Sequence, residues 1–192
     1  MDKINVLPDT KIKDAGEISK KFLELGVATF QEAAKYLLNL KYGYNSNKDD
    51  KFILFKEQMG TCSTKHSTFA YLAEEQNIPV HKTICLYHFC EEIVEGANNI
   101  LEEFNLECLP MAHCFLQYQD YKIDLTEGNN NGKKRSIEDF LFTKVVNPGL
   151  TSKEEYLIYR NYLQEKYQDE DELKRMIKAH EFAIKLLKKI LK

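Results

Sequence analysis

Three residues that together can make a nucleophile occur here in a telling order: Cys62, His113 and Asp124. A thiol attacks a carbonyl only as the thiolate. Two influences favour that form: the free amides and positive dipole end of a helix N-terminus, and a neighbouring imidazolium. The stretch MGTCSTKHSTFAYLAEEQN, residues 59–77, supplies the first, because it reads as a helix that opens at the cysteine and stops by Asn77–Pro79. His113 would supply the second from another element, with Asp124 fixing its tautomer and stabilising its cation. Backbone N–H groups at the same helix start, including that of Cys62, suit an oxyanion, and Gln58 four residues earlier is a candidate second donor. His66, one helical turn after Cys62, is a candidate pocket-edge residue, and a Cys62–His66 dyad is a competing arrangement.

The segment MAHCFLQYQDYKIDLT, 111–126, must bring the acid to the imidazole, and it reads as two alternating runs hinged at Gln119–Asp120. A turn centred there sets 118 opposite 121 and 116 opposite 123. One face then carries Ala112, Cys114, Leu116, Tyr118, Tyr121, Ile123 and Leu125, a core face. The other carries His113, Phe115, Gln117, Lys122, Asp124 and Thr126. In this register Asp124 faces Phe115 and is the diagonal neighbour of His113, at about 7 Å or less. A slip of one residue would part them.

The segment GTCSTKHSTFAYLAEEQNIPVHKTI resembles the cysteine motif of transglutaminase-like proteins, in which a Gly-x-Cys turn opens a helix that ends before an Ile-Pro and a strand. AHCFLQYQDYKIDLT is similar to that family's His and Asp strands, and the likeness spans about residues 25–127. It implies Cys62 as nucleophile, His113 as base, Asp124 as orienting acid and Phe115 as an aromatic wall. It further implies an α+β fold with a transglutaminase/papain-like core and a C-terminal helical extension over about 136–192, all one domain. Many members have an aromatic residue after the cysteine and a Trp two after the histidine; this chain has Ser63 and Phe115.

The remaining elements follow from periodicity. DAGEISKKFLEL places Ile18, Phe22 and Leu25 at helical spacing, and TFQEAAKYLLNLKYG opens with a Thr29/Glu32 capping box and closes at Gly43. VHKTICLYHF reads as a strand and ANNILEEFNL as a short helix. SIEDFLFTKVV reads as a helix, broken at Asn147–Gly149, before two long amphipathic helices over 151–192. Disorder is expected at the ends and over 128–135.

Composition narrows the function classes. A formal charge of −3 on 192 residues, with lysines spread among acids, gives no basic face for nucleic acid. No apolar run approaches the ~20 residues of a membrane span, and the N-terminus is too polar for a signal sequence, so a cytoplasmic protein is expected. Five cysteines (62, 85, 90, 108, 114) argue against a disulfide framework. Cys85, His88, Cys90, Cys108, His113 and Cys114 raise a metal site as a rival, but their spacing lacks the tight pairs of zinc motifs, and NKDD is too short for a calcium loop. No cofactor is implied. The expected function is thiol-dependent acyl transfer on a peptide, protein or small amide or ester, by hydrolysis or transamidation. The alternative is a catalytically inactive module of the same type that binds protein or peptide. Oligomeric state is not specified.

Overall fold

The computed structural model describes residues 3–191. The chain has a mixed α+β fold and divides into two compact units. The first takes the chain up to Ile84, then Cys114–Asn131 and Lys144–Leu150; the second takes Cys85–His113, Gly132–Thr143 and everything from Thr151.

In the first unit come α1 (Glu17–Glu24), α2 (Phe30–Asn39), β1 (Lys41–Tyr42), α3 (Ile53–Glu57), β2 (Met59–Gly60) and α4 (Cys62–Glu75). The Thr29/Glu32 capping box forms as expected: Thr29 Oγ1 accepts the Glu32 N–H at 3.2 Å and Glu32 accepts the Thr29 N–H at 3.0 Å. Glu75, at the far end of α4, caps α1 by accepting the N–H groups of Ile18 and Ser19 at 2.9 and 2.6 Å. Phe22, Phe30, Leu37, Leu54, Phe69 and Leu72 fill the core with Leu116 and Ile123. Helix α2 stops at Asn39 rather than running to Gly43. Its last carbonyls are taken from outside the helix, and the chain straightens into β1, which pairs parallel to β2 with Tyr42 opposite Gly60.

Next come β3 (Val80–His88), α5 (Ala97–Glu103), β4 (Pro110–Tyr118), β5 (Tyr121–Ile123), β6 (Phe142–Val146), α6 (Ser152–Lys166) and α7 (Glu170–Ile190). The four strands β5-β4-β3-β6 form one sheet in that order. The β4–β5 register is the one read from the sequence: Leu116 opposite Ile123, Gln117 opposite Lys122, Tyr118 opposite Tyr121. The core face read from the sequence is corrected at two positions. Ala112 and Tyr121 are exposed, whereas His113 and Phe115 are buried along with Cys114 and Leu116, so mid-β4 is covered on both sides.

Two further expectations are corrected. Residues 136–141 form no helix, and 142–146 are strand β6 beside β3, with the Leu141 N–H donating to the Leu86 carbonyl at 2.8 Å. Pairing with an available strand edge outweighs the helical spacing of Ile137, Phe140 and Leu141. The 128–135 stretch is ordered at its start, where Asn131 is buried and donates to the Thr126 carbonyl at 2.9 Å. The second unit's core joins Leu86, Phe89, Leu109, Met111, Tyr159, Met176 and Ala183. Among the described residues, no helix is long and apolar enough to cross a membrane.

Candidate active site

Helix α4 begins at Cys62 itself, with Thr61 as the extended residue before it, so the thiol sits where the first-turn amides are free of intrahelical partners. The glycine of the Gly-x-Cys motif is required by space. A Cβ on Gly60 would lie 2.6 Å from Thr64 Oγ1 and 3.1 Å from Leu54 Cδ1. Thr64 in turn donates to Asn45 Oδ1 at 2.9 Å, and Asn45 donates to the Met59 carbonyl at 2.9 Å, which pins the turn before the cysteine.

The β1–β2 ladder delivers Tyr42 to Cys62. The Cys62 N–H donates to the Tyr42 hydroxyl oxygen, and that hydroxyl is also hydrogen-bonded to the Cys62 side chain. Burial first, then the charge of Cys62, pushes the Tyr42 phenol well above its ordinary range, so it remains a proton-bearing donor. Burial likewise raises Tyr44 to about 12, with Cys62 again the second cause. Neither tyrosine was singled out as a site residue from sequence. A parallel pairing of two residues each leaves no periodicity to read.

Asp124 follows directly on β5. Its Oδ1 accepts from the Thr126 N–H at 2.9 Å and from the Thr126 hydroxyl at 2.6 Å, a local turn that fixes the carboxylate. His66, fully buried on the second turn of α4, has Nε2 3.4 Å from Asp124 Oδ1. The same nitrogen accepts the Leu125 N–H at 2.8 Å. His66 therefore anchors the 124–125 backbone beside the Asp124 carboxylate.

The other site residues read from sequence are placed as follows. His113 is buried on β4, and its carbonyl accepts the Cys85 thiol at 3.4 Å. Phe115 is buried two residues on, with the Lys122 ammonium 5.8 Å from its ring centre. Gln58 ends α3 in the left-handed region at φ 52°; its side chain donates to the Phe55 carbonyl at 2.8 Å and accepts from the Tyr36 hydroxyl at 2.9 Å. That is a helix-end cap. The donor found beside Cys62 is Tyr42.

Two buried lysines complete the cluster, and pattern reading missed both. Lys65, one turn into α4, donates to the Leu40 carbonyl at 2.5 Å, and Asn129 donates to the same carbonyl at 2.6 Å. Together they end α2 and so set where β1 and Tyr42 begin. Burial pulls Lys65 down to about 8, with the Asp124 charge opposing the shift. Lys82, fully buried on β3, donates to Ser63 Oγ at 3.2 Å and Ser67 Oγ at 2.9 Å. Ser63 is thus a lysine's hydrogen-bond partner.

No protein-family model, curated protein or solved structure matches the chain.

Proposed function

We propose that the chain is a thiol-dependent acyl-transfer enzyme with a transglutaminase/papain-like core, in which Cys62 is the nucleophile, His113 the base and Asp124 the orienting acid. The observation that carries this reading is that α4 starts at Cys62, with a phenol at its side and a carboxylate held by Thr126 in the same unit. The hairpin register supports it, because Leu116–Ile123, Gln117–Lys122 and Tyr118–Tyr121 pair in the register this reading requires.

His113 takes the thiol proton, and the sulfur attacks an amide or ester carbonyl. The tetrahedral oxyanion is met by the α4 amides and the Tyr42 hydroxyl. Collapse expels the amine or alcohol, protonated by the imidazolium, and leaves an acyl-thioester on Cys62. Water or an amine then resolves it, with His113 as base again. A peptide, a protein side chain or a small ester would each fit this chemistry. The second reading is an inactive module that binds protein or peptide. It is favoured by the Cys62 N–H being already engaged by Tyr42.

Brief reaction with p-nitrophenyl acetate, acid quench and peptide mapping separates the two. The expected result is a burst of nitrophenol with the acetyl group on Cys62, abolished in Cys62→Ser. No burst, or acetyl groups spread over the other cysteines, contradicts the enzyme reading.

A further inference from the structure

A second thiol cluster lies within the second unit and takes no part in the chemistry above. The Cys85 thiol donates to the His113 carbonyl, and the Phe89 N–H donates to the Leu109 carbonyl at 2.9 Å. As the β3 residue advances by four its β4 partner retreats by four, so these strands run antiparallel. Phe89 and Leu109 are then a hydrogen-bonded pair, and His88 and Pro110 a non-hydrogen-bonded one, which suits a proline with no N–H to give. One residue further out, beyond the ends of β3 and β4, come Cys90 on one segment and Cys108 on the other.

The side chains agree with this pairing. His88 Nδ1 is 2.7 Å from Cys108 Sγ. Cys108 lies within electrostatic reach of Cys90, and the Cys90 thiol is hydrogen-bonded to Glu92. Both cysteines are half-buried thiols, neither in a disulfide. Among the described residues, no three His, Cys, Asp or Glu side chains are gathered as a metal site.

We infer that Cys90 and Cys108 are a dithiol that closes reversibly into a cross-strand disulfide on meeting a low-molecular-weight disulfide, with His88 as the base that starts the exchange. Burial raises both thiols above their ordinary range, so neither is a standing thiolate and the base matters. The Cys108 sulfur gives its proton to His88 Nδ1 and attacks one sulfur of RSSR. The RS–SR bond breaks, Cys108–S–SR forms, and RS⁻ leaves to collect a proton as RSH. The Cys90 sulfur, its proton passing to solvent beside Glu92, then attacks the Cys108 sulfur and expels a second RS⁻, protonated in turn. Two chain thiols lose two electrons, and RSSR becomes two RSH. None of Cys62, His113 or Asp124 takes part, so this inference and the proposed acyl transfer fail separately.

The test treats the full chain with oxidised glutathione at neutral pH, then digests after glutamate and locates the link by fragmentation. The expected product is a Cys90–Cys108 disulfide that dithiothreitol reopens. Cys90→Ser should stop at a glutathione adduct on Cys108, and Cys108→Ser should yield no link. His88→Gln should slow the first adduct about tenfold at pH 7, with the rate restored at alkaline pH where the thiol ionises unaided. In denaturant the preference for this pairing should vanish. A link between other cysteines, separate adducts on Cys90 and Cys108 with no link, a His88→Gln rate equal to wild type, or zinc retained by these thiols would overturn it.

Discussion

Helices α4 and α7 bury their inner faces by opposite means. Helix α7 buries Met176, Ala179, Ala183 and Leu187, a stripe at three- and four-residue steps, while its charges stay outside. Helix α4 buries Ser63, Thr64, Lys65, His66 and Thr68 beside Phe69, Ala70, Leu72 and Ala73. An apolar stripe needs only an apolar neighbour. Each buried polar group needs a specific partner or costs its full desolvation, and on α4 the partners exist: Asn45 for Thr64, the Leu40 carbonyl for Lys65, the Leu125 N–H for His66. Every one lies in a segment that touches or precedes the candidate site. The polar burial on α4 thus fixes particular partners in place, while the apolar burial on α7 requires none.

The two helices should answer mutation differently. The largest effect falls on α7: Met176→Ala, at a position 2% exposed, should cost about 3 kcal/mol in urea unfolding at every pH and leave Cys62 reactivity alone. Loss of Cys62 reactivity in this variant would show that the helices are not independent.

His180 on α7 gives a smaller, pH-dependent effect. It stacks on Tyr159 with ring centres 4.3 Å apart, and burial pulls it down to about 4. Between pH 6.5 and 4 the unfolded chain binds a proton that the native ring refuses. This contribution is present above pH 6.5 and lost as pH falls toward 4, on the order of 2 kcal/mol. His180→Phe should remove that share of the acid-side slope; a difference between the two proteins that stays flat from pH 7 to 4 would contradict it.

Lys65 on α4 gives the smallest effect, in the alkaline range. Its folded value of about 8 lies below the ordinary lysine value, so between pH 8 and 10 the unfolded chain holds a proton the native chain has released. Relative to Lys65→Met, the wild type should gain stability as pH rises through that window, on the order of 1 kcal/mol, with the difference constant below pH 8. Cys90 and Cys108 titrate with the opposite sign, since burial raises them, but they are common to both proteins and cancel.

The contrast also explains what was legible in the sequence. Elements defined by local rules were read correctly: the Thr29/Glu32 cap, the start of α4 at Cys62, the β4–β5 register and the two C-terminal helices. Features defined by distant partners were not. Strand β6 looked helical because its pairing with β3 leaves no local mark, and Lys65 and Lys82 were not singled out because their acceptors are 25 and 15 residues or more away. Tyr42 became a site residue through a ladder of two residues on each side. Polar residues buried on a helix with no apolar stripe are the signal that would have pointed to that cluster.

The most direct test of the central claim is the pH dependence of Cys62 alkylation by iodoacetamide, followed by peptide mapping in the wild type and in His113→Ala. The account predicts a Cys62 midpoint below the ordinary thiol value of about 8.5, moving upward in the variant. A Cys62 that alkylates no faster than a free thiol, with a midpoint near 8.5 that His113→Ala leaves in place, would contradict it.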